Sequence, residues 1–517
     1  MPYDYTPYPY VAPPGLSAPE ARKPVVIVGA GPIGLAMAIE LANHGVPSVV
    51  LDDNDVVSVG SRAICWSKRS IEIFDRLGIG DRSMEKGVTW TVGRTFHRDK
   101  EVFNFDLLPE TSYKRPAFIN LQQYYVEEYL IDRAQEIDLI DLRFKNRVAG
   151  VTQDVNGARV QIDTPDGRYV LEADYVLACD GAKSPVRDML GLDFEGVVFE
   201  ERFLIADIEM EGDFPSERWF WFEPPFHTGQ SALLHKQPDN IYRIDLQLGW
   251  EADPEEERKP ENVIPRIEKV VGHSQFRLDW VSVYTFQCRR LAKFVHDRVI
   301  FVGDSAHLVS PFGARGGNGG LQDVDALGWR LAAVLRGKAK PEVLERFDLE
   351  RQHGADENIL NSSRATRFMT PAPGAERMFR DEVLRLAGSL PFARTLVNSG
   401  RLSVPCVYPL EGPDTEALPA MSRPGSVAPD APLGARWLID RLGGRMIVLA
   451  IGCDIGPVDG AEVLQLEPTR EIRARYLGEA DHAIYLIRPD QVVAGRWTMP
   501  DPAWVSATIK DIWEGRA

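Results

Sequence analysis

The feature that most constrains this chain is the run from Val25 to Asp53. Four β-branched residues, Val25 to Val28, lead into Gly29-Ala30-Gly31-Pro32-Ile33-Gly34. An apolar helical stretch follows, and a second β-branched run ends in Leu51-Asp52-Asp53. Strand, tight turn, helix and strand in that order make a βαβ unit that cradles a dinucleotide. Gly29 permits the turn, Gly31 leaves room for a pyrophosphate against the backbone, and Gly34 lets the helix sit close to the sheet. The helix N-terminus, opened by Pro32 and Ile33, offers unpaired N–H groups to phosphate. Asp52 stands where a carboxylate accepts hydrogen bonds from ribose hydroxyls, with Asp53 one residue further out as the second candidate.

The whole chain has 517 residues, enough for two or three domains with large cores. Asp plus Glu number 76 against 59 Lys plus Arg, a formal charge of −17. That balance argues against nucleic acid or an anionic membrane as the main partner. The five cysteines are scattered, form no C-x-x-C and show no zinc-ligand spacing, as expected of free thiols in a reducing cytoplasm. No metal site is expected. No signal peptide and no apolar run of membrane-spanning length is read, so a cytoplasmic protein is expected.

Residues 1–23 alternate prolines, from Pro2 to Pro19, with Tyr3, Tyr5, Tyr8 and Tyr10. This predicts a flexible or polyproline-like arm, which its tyrosines would at most attach to the body or to a neighbouring subunit. Arg62 follows the first βαβ unit in a glycine turn, suited to pairing with phosphate. A helical pattern runs from Gln122 to Ile137. Period-two alternation from Leu142 to Ala178 then gives strands and hairpins, ending in a buried strand that delivers Asp180 and Gly181 into a turn. Residues 196–290 are rich in aromatic and β-branched runs. They predict a separate antiparallel sheet with one face packed and one free to cover a site, with His227, His235, Gln247 and Tyr284 as pocket candidates.

The second strong signal is Asp297 to Leu335. A strand ends at Gly303-Asp304, a loop carries Pro311, Gly313, Gly316, Gly317, Asn318, Gly319 and Gly320, and an amphipathic helix follows. So many glycines ahead of a helix imply close backbone approach to something flat or anionic. Past Arg346 a helical stretch runs to about Gly400, broken at Thr370-Pro-Ala-Pro-Gly. A proline-rich shift then leads to three apolar strands and a final helix from Pro502 to Trp513.

These three motifs in this order resemble those of single-component FAD-dependent aromatic hydroxylases, the para-hydroxybenzoate hydroxylase fold with the phenol and 3-(3-hydroxyphenyl)propionate hydroxylases as longer relatives. The similarity covers roughly residues 24 to 370. It implies an α/β architecture: a Rossmann-like FAD-binding domain (24–195 and, with helices, 291–400), an inserted antiparallel-sheet substrate domain (196–290) and a thioredoxin-like domain (401–517). It also implies that Asp52 holds the adenosine ribose and that Arg62 and Gln123, seven residues before Leu130, line the cofactor. Gly303 and Asp304 would meet the ribityl chain, Pro311 the flavin face, and the Gly316, Gly317 and Asn318 backbone its pyrimidine edge. Asp180 lies in the motif shared between FAD and nicotinamide contact. Asp52 departs from the Glu that relatives often carry, a change in reach the site should tolerate.

The activity implied is hydroxylation of a phenolic or similarly activated aromatic substrate with NAD(P)H and O2, by way of a flavin hydroperoxide, and a homodimer is expected. Pro311, Tyr284, His235 and Gln247 are the candidates nearest the chemistry. NAD(P)H would visit a surface groove, since no second glycine fingerprint exists. Trp219-Phe-Trp-Phe-Glu-Pro resembles the W-x-W-x-I-P of flavin-dependent halogenases, with Glu223 in place of isoleucine, and is the alternative reading. A non-catalytic flavin or nucleotide sensor is a third, without a DNA-binding helix pair to support it. Cys453 stands alone in the last domain, so dithiol redox work is not expected there.

Overall fold

The computed structural model describes residues 3–60, 62–108, 112–212, 214–397 and 403–516. Pro2 of the expected arm, and Gly400 at the expected end of the helical stretch, lie outside them. The Lys23–Val28 strand pairs in parallel with Ser48–Leu51 on one side and Gly167–Ala178 on the other. Ile140–Arg143 and Val299–Phe301 extend this parallel sheet at either side. A parallel strand covered on both faces has no polar side to alternate with, which is why Val25 to Val28 read as an unbroken apolar run and are all buried. The Pro32–Asn43 and Gly316–Leu335 helices pack against each other over this sheet. The turns at Asp154–Gly157 and Thr164–Gly167 join the strands Arg147–Asp154, Gly157–Thr164 and Gly167–Ala178 into antiparallel hairpins.

The second sheet has eight strands, running from His307–Leu308 through 277–290, 195–209, 241–247, 231–236, 218–222 and 92–97 to 100–106. Its last two strands come from a stretch that the sequence reading left inside 24–195. Their alternation marks them as strands, but nothing local says which sheet they complete. The outer face carries Leu204, Ala206, Ile208, Tyr242, Ile244 and Leu246 and packs on Val263 and Ile267 of the Pro260–Val271 helix. The inner face carries Phe203, Phe220, Phe222, Leu233 and Phe286, which pack with Phe312 and with Ala365, Met369 and Leu384 of the later helices. Each such fully buried side chain contributes about 1.5–3 kcal/mol of transfer free energy.

The C-terminal unit is a four-stranded sheet in the order 462–466, 447–451, 483–487, 493–497, with the first two strands parallel and the others antiparallel. The Pro502–Trp513 helix closes it. This is a thioredoxin-like strand order, except that residues 452–461, which hold Cys453, form no helix between the first two strands. One face of the sheet builds its own core from Ile447, Leu449, Tyr476, Tyr485 and Ile487. The other face, with Val448, Ala450, Ile484 and Leu486, joins the core of the dinucleotide domain, where Trp513 meets Trp329 edge-on at 5.4 Å.

Of the two outcomes open for the arm, a free tail or attachment to the body through its tyrosines, the structure shows attachment from Tyr3 onward. Tyr3 donates to Glu128 at 2.9 Å, Tyr8 stacks on Phe144 at 4.8 Å, and Tyr5 Oη accepts from Gly60 N at 3.0 Å. Aromatic rings supply enough apolar area to hold a segment whose regular structure, among the described residues before Lys23, is a single 3-10 turn at Pro14–Leu16. Among the described residues no helix is long and apolar enough to cross a membrane.

Candidate functional site

Segments far apart in sequence meet at Ile33, in the first turn of the Pro32–Asn43 helix. A Cβ on Gly303 would stand 3.2 Å from Ile33 Cγ1, and one on Gly320 would stand 2.7 Å from its Cδ1. The Asp180 turn joins them through the backbone: Cys179 N donates to Val28 O at 2.9 Å, and Ser305 Oγ donates to Ala178 O at 2.5 Å. Asp180 Oδ2 in turn accepts from Val186 N at 3.0 Å, fixing the short helix that follows.

The three cradle glycines have different surroundings. Gly29 has φ +103°, and a Cβ there would lie 2.6 Å from Cys179 O. One on Gly34 would lie 1.9 Å from Gly29 O, so helix and turn touch only because neither carries a side chain. Gly31 has none of the described residues within 4 Å of that position, and it caps the helix without a side-chain hydrogen bond. Open space beside the backbone, at the positive end of a helix with unpaired N–H groups, fits a pyrophosphate. Asp52 Oδ2 accepts from Ala30 N at 2.5 Å and Oδ1 from Asn54 N at 2.8 Å, and burial pushes its carboxyl up. Asp53 is not part of this arrangement: it lies in the bend past the strand end at Leu51, is exposed and holds Asn54 Nδ2 at 3.0 Å.

Across the cleft, Gly303 (φ +68°) turns the strand end and presents Asp304. Asp304 is enclosed by protein, which pushes its carboxyl up, yet keeps an open face, as a side chain in a cleft does. Pro311 is exposed on the same loop, while Phe312 behind it packs at 5.0 Å on Phe203 and Phe286 and pins the loop to the second sheet. The N-terminus of the Gly316–Leu335 helix also has no side-chain cap. A Cβ on Gly317 would be 3.1 Å from Trp66. The Asn318 side chain is fully engaged: Oδ1 accepts from Ser67 N at 2.8 Å and Ser70 Oγ at 2.5 Å, and Nδ2 donates to Cys65 O at 2.9 Å and Ala314 O at 2.5 Å. Only backbone of this turn is left for a ligand. Gln123 braces the opposite wall, accepting from Ala63 N at 3.1 Å and donating to Ser58 Oγ at 3.1 Å and Glu127 Oε1 at 2.8 Å. Arg62, next to Ala63, is exposed and lies in the electrostatic environment of Asp304 and Tyr284.

Tyr284 belongs to this cleft: it is 44% exposed on the inner face, and enclosure together with Asp304 pushes its hydroxyl up to about 12. His235 and Gln247 are placed differently. His235 is buried, 4.0 Å from Cys65 Sγ, and burial beside Arg218 and Arg243 pushes its imidazole well down. Gln247 accepts from Ser231 N at 2.9 Å and donates to Glu201 at 3.3 Å, while its carbonyl meets His227 Nε2 at 2.6 Å, so both candidates tie strands together. Trp219 and Trp221 lie on the outer face against Phe96, Phe214 and Phe226, away from the cleft.

Sequence reasoning missed two groups. Behind Gly303, Asp323 accepts from Gly303 N at 2.9 Å, His307 Nε2 at 2.7 Å and Arg351 Nε at 2.6 Å, all buried. Arg218, Arg243, Asp207 and Asp245 put charge on the inner face, where Arg243 Nε meets Asp207 at 3.1 Å and its Nη1 donates to Arg62 O at 2.9 Å. Their signal was the alternation Tyr242-Arg-Ile-Asp-Leu-Gln, whose polar positions face inward rather than to water.

Residues 22–362 match the family model described as FAD binding domain. A 3-(3-hydroxy-phenyl)propionate/3-hydroxycinnamic acid hydroxylase of Mycolicibacterium smegmatis is 26% identical over 375 residues, 72% of this chain but 66% of that protein, so the match spans just under two thirds of that relative. A 12-dehydrotetracycline 5-monooxygenase/anhydrotetracycline 6-monooxygenase of Streptomyces rimosus is 27% identical over 500 residues, 92% of this chain and 95% of that one. The structure of the flavin-dependent monooxygenase PieE, in complex with FAD and substrate, superposes with a TM-score of 0.81 at 21% identity, covering 96% of this chain and 100% of that one, which shows a shared fold. The family match extends over well more than half of the sequence and contains every cradle residue described above, and the chain belongs to the FAD binding domain family.

Proposed function

We propose that this protein is an FAD-dependent monooxygenase that hydroxylates a phenolic or similarly activated aromatic ring. The carrying observation is the cleft itself, in which Asp304, Arg62, Pro311 and an uncapped helix N-terminus face the open side of a sheet that presents Tyr284. Gly29 to Gly34, Asp52, Arg62, Gln123, Asp180, Gly303, Asp304, Pro311 and the Gly316–Asn318 backbone would hold FAD. Bound there, FAD supplies electron transfer from NAD(P)H and activation of O2.

The chain supplies positioning and electrostatics. The Gly316–Leu335 helix directs its positive end at the cleft and favours negative charge there. Tyr284 stays protonated at neutral pH and would be a hydrogen-bond donor to a ligand in the cleft. Phe203, Phe286 and Phe312 keep water from the wall behind Pro311. His235 and Gln247 brace the strands that carry these groups. Of the alternatives, halogenation is disfavoured by the outward placement of Trp219 and Trp221. The homodimer is retained as a proposal supported by exposed Met378, Phe379 and Phe392, and a cytoplasmic location by five unpaired thiols.

The test is a panel of phenol, 3-hydroxyphenylpropionate, 4-hydroxybenzoate, 1-naphthol and a hydroxypyridine, scored for stimulated NAD(P)H oxidation and then for product made under 18O2. One labelled oxygen in the product is expected. Label arriving from water, or oxidation indifferent to every ring, would defeat the proposal.

A further inference from the structure

Asp245 sits in the middle strands of the second sheet, between Ile205 and Leu233 in register, where both faces are covered by protein. Even so, it and Ile205 are only partly buried, while Leu204, Ala206, Ile244 and Leu246 on the outer face are sealed. Partial exposure at the centre of a covered sheet means that the cleft reaches this point on the inner face, the face that also carries Tyr284. Among the described residues Asp245 Oδ1 has no hydrogen-bond partner, although a carboxylate oxygen normally takes one or two donors, and because Oδ1 itself is closed to solvent the residue's open surface lies on its other atoms. The charges facing Asp245 are Arg243 on its own strand, Asp207 on 195–209 and Arg218 on 218–222, with Cys65 from the 65–67 strand and neutral His235 on 231–236 nearby. Two guanidinium groups and two carboxylates cancel, so this end of the cleft has no surplus positive charge for a substrate carboxylate.

We propose that Asp245 is the substrate-facing acceptor of the cleft, taking a hydrogen bond from the ring hydroxyl of an aromatic substrate whose hydroxyl end is uncharged. The inference rests on the monooxygenase reading above. As the ring is activated, the substrate O–H bond breaks and an O–H bond forms on the Asp245 carboxylate, at the side the cleft reaches. The electron pair remains on the substrate oxygen, where Arg243 and Arg218 offset its charge. Desolvation raises the Asp245 carboxyl to about 6, against the pull of Arg243 and Arg218 and with the push of Asp207, so it is ionised at neutral pH and ready to accept.

The experiment uses the FAD-loaded full chain and follows binding of phenol, 1-naphthol and 1-methoxynaphthalene by the change in flavin absorbance between pH 5 and 7.5. For the better-binding phenolic probe, the Kd should rise about tenfold as pH falls from 7.5 to 5, because about a tenth of a carboxyl with a pKa of about 6 is ionised at pH 5. Asp245→Asn should bind that probe about tenfold more weakly at pH 7.5, with no pH dependence, while Asp245→Glu restores both. Binding of the methyl ether should be the same in all three proteins. Asp245→Ser serves as the second variant should the amide not fold, with FAD content and Tm as controls. An unchanged Kd and pH profile in Asp245→Asn, or equal losses for the hydroxyl and methoxy probes, overturns the assignment. If wild type makes labelled product from a phenol while Asp245→Asn behaves as wild type, only this inference fails. If no ring stimulates wild type, the monooxygenase reading fails and takes this inference with it.

Discussion

The His307 imidazole and the Asp323 carboxylate meet at 2.7 Å in the interior, and the Asp323 oxygen that His307 reaches also accepts from Gly303 N, one residue before Asp304. Burial works to raise the Asp323 carboxyl, but His307 and Arg351 outweigh it and hold it down to about 2. A carboxyl lowered in the folded state adds stability that is complete above its unfolded value near 4 and is lost as pH falls through the folded value. Asp323→Asn should therefore cost roughly 3–5 kcal/mol at neutral pH, by leaving Arg351 buried without its partner. It should also flatten the fall in stability between about pH 4 and 2. Urea melts across that range check both, and an acid limb matching wild type would refute the assignment.

Gly320→Ala tests the joint between motifs. Its new methyl would be 2.7 Å from Ile33 Cδ1, 2.9 Å from Cγ1 and 3.3 Å from the Gly303 backbone, so the side chain cannot simply swing aside. Overpacking of this kind costs roughly 1–3 kcal/mol. A lower Tm and a smaller fraction of FAD retained on purification are expected. A variant equal to wild type in both would show that the helices separate freely.

Asp304→Ala should weaken FAD without unfolding the chain, since among the described residues the side chain makes no hydrogen bond that the strand end depends on, and it already faces the cleft. Loss of a charge-assisted hydrogen bond of about 1.5–3 kcal/mol raises the dissociation constant about tenfold or more. Titration of the apoprotein with FAD measures it, and an unchanged constant in a folded variant removes Asp304 from the cofactor site.

The parts of this molecule legible in the sequence are those with short-range signatures. Glycines 29, 31 and 34 could be assigned separate tasks because a βαβ turn fixes their geometry locally, and Gly303 and Asp304 could be read from a strand running into a glycine-rich loop. Asp53 stands beside Asp52 as a candidate because sequence spacing alone does not resolve a one-residue shift past a strand end, where the chain bends after Leu51. His235 and Gln247 are singled out by residue type, whereas Arg243 and Asp245, on the same strand as Gln247, are not named among the pocket candidates. Which side of a strand is wet depends on the sheet it joins and what covers it. The docking of the tyrosine arm depends on Tyr124, Glu128 and Phe144, partners that no local pattern connects to it.

Cys453→Ser should leave turnover and stability within error of wild type. The thiol is only partly buried, no second cysteine stands beside it, and burial pushes its pKa up, which suppresses the thiolate needed for redox work. Lost turnover in a stable variant would give the C-terminal unit a chemical role.

Glu350→Ala should show instead that the C-terminal unit is welded to the flavin domain. Both oxygens of Glu350 accept from Arg330 at 2.9 Å and from Arg488 of the C-terminal unit at 2.8 and 2.9 Å, and all three residues are at most 4% exposed. Burial disfavours the Glu350 charge, and the two arginines more than reverse that, so its carboxyl is held below the ordinary range. Arg69 extends the contact, donating to the Asp490 carbonyl at 2.8 Å and pairing with Asp325, which Arg76 also grips. Removing Glu350 leaves two buried guanidinium groups short of a counter-charge, a loss of roughly 3–5 kcal/mol. Because the lost carboxylate lies at the seam, calorimetry should show one transition for wild type and two for the variant, with the C-terminal unit melting first. One sharp transition at an unchanged Tm would mean that the seam is held by its apolar face alone.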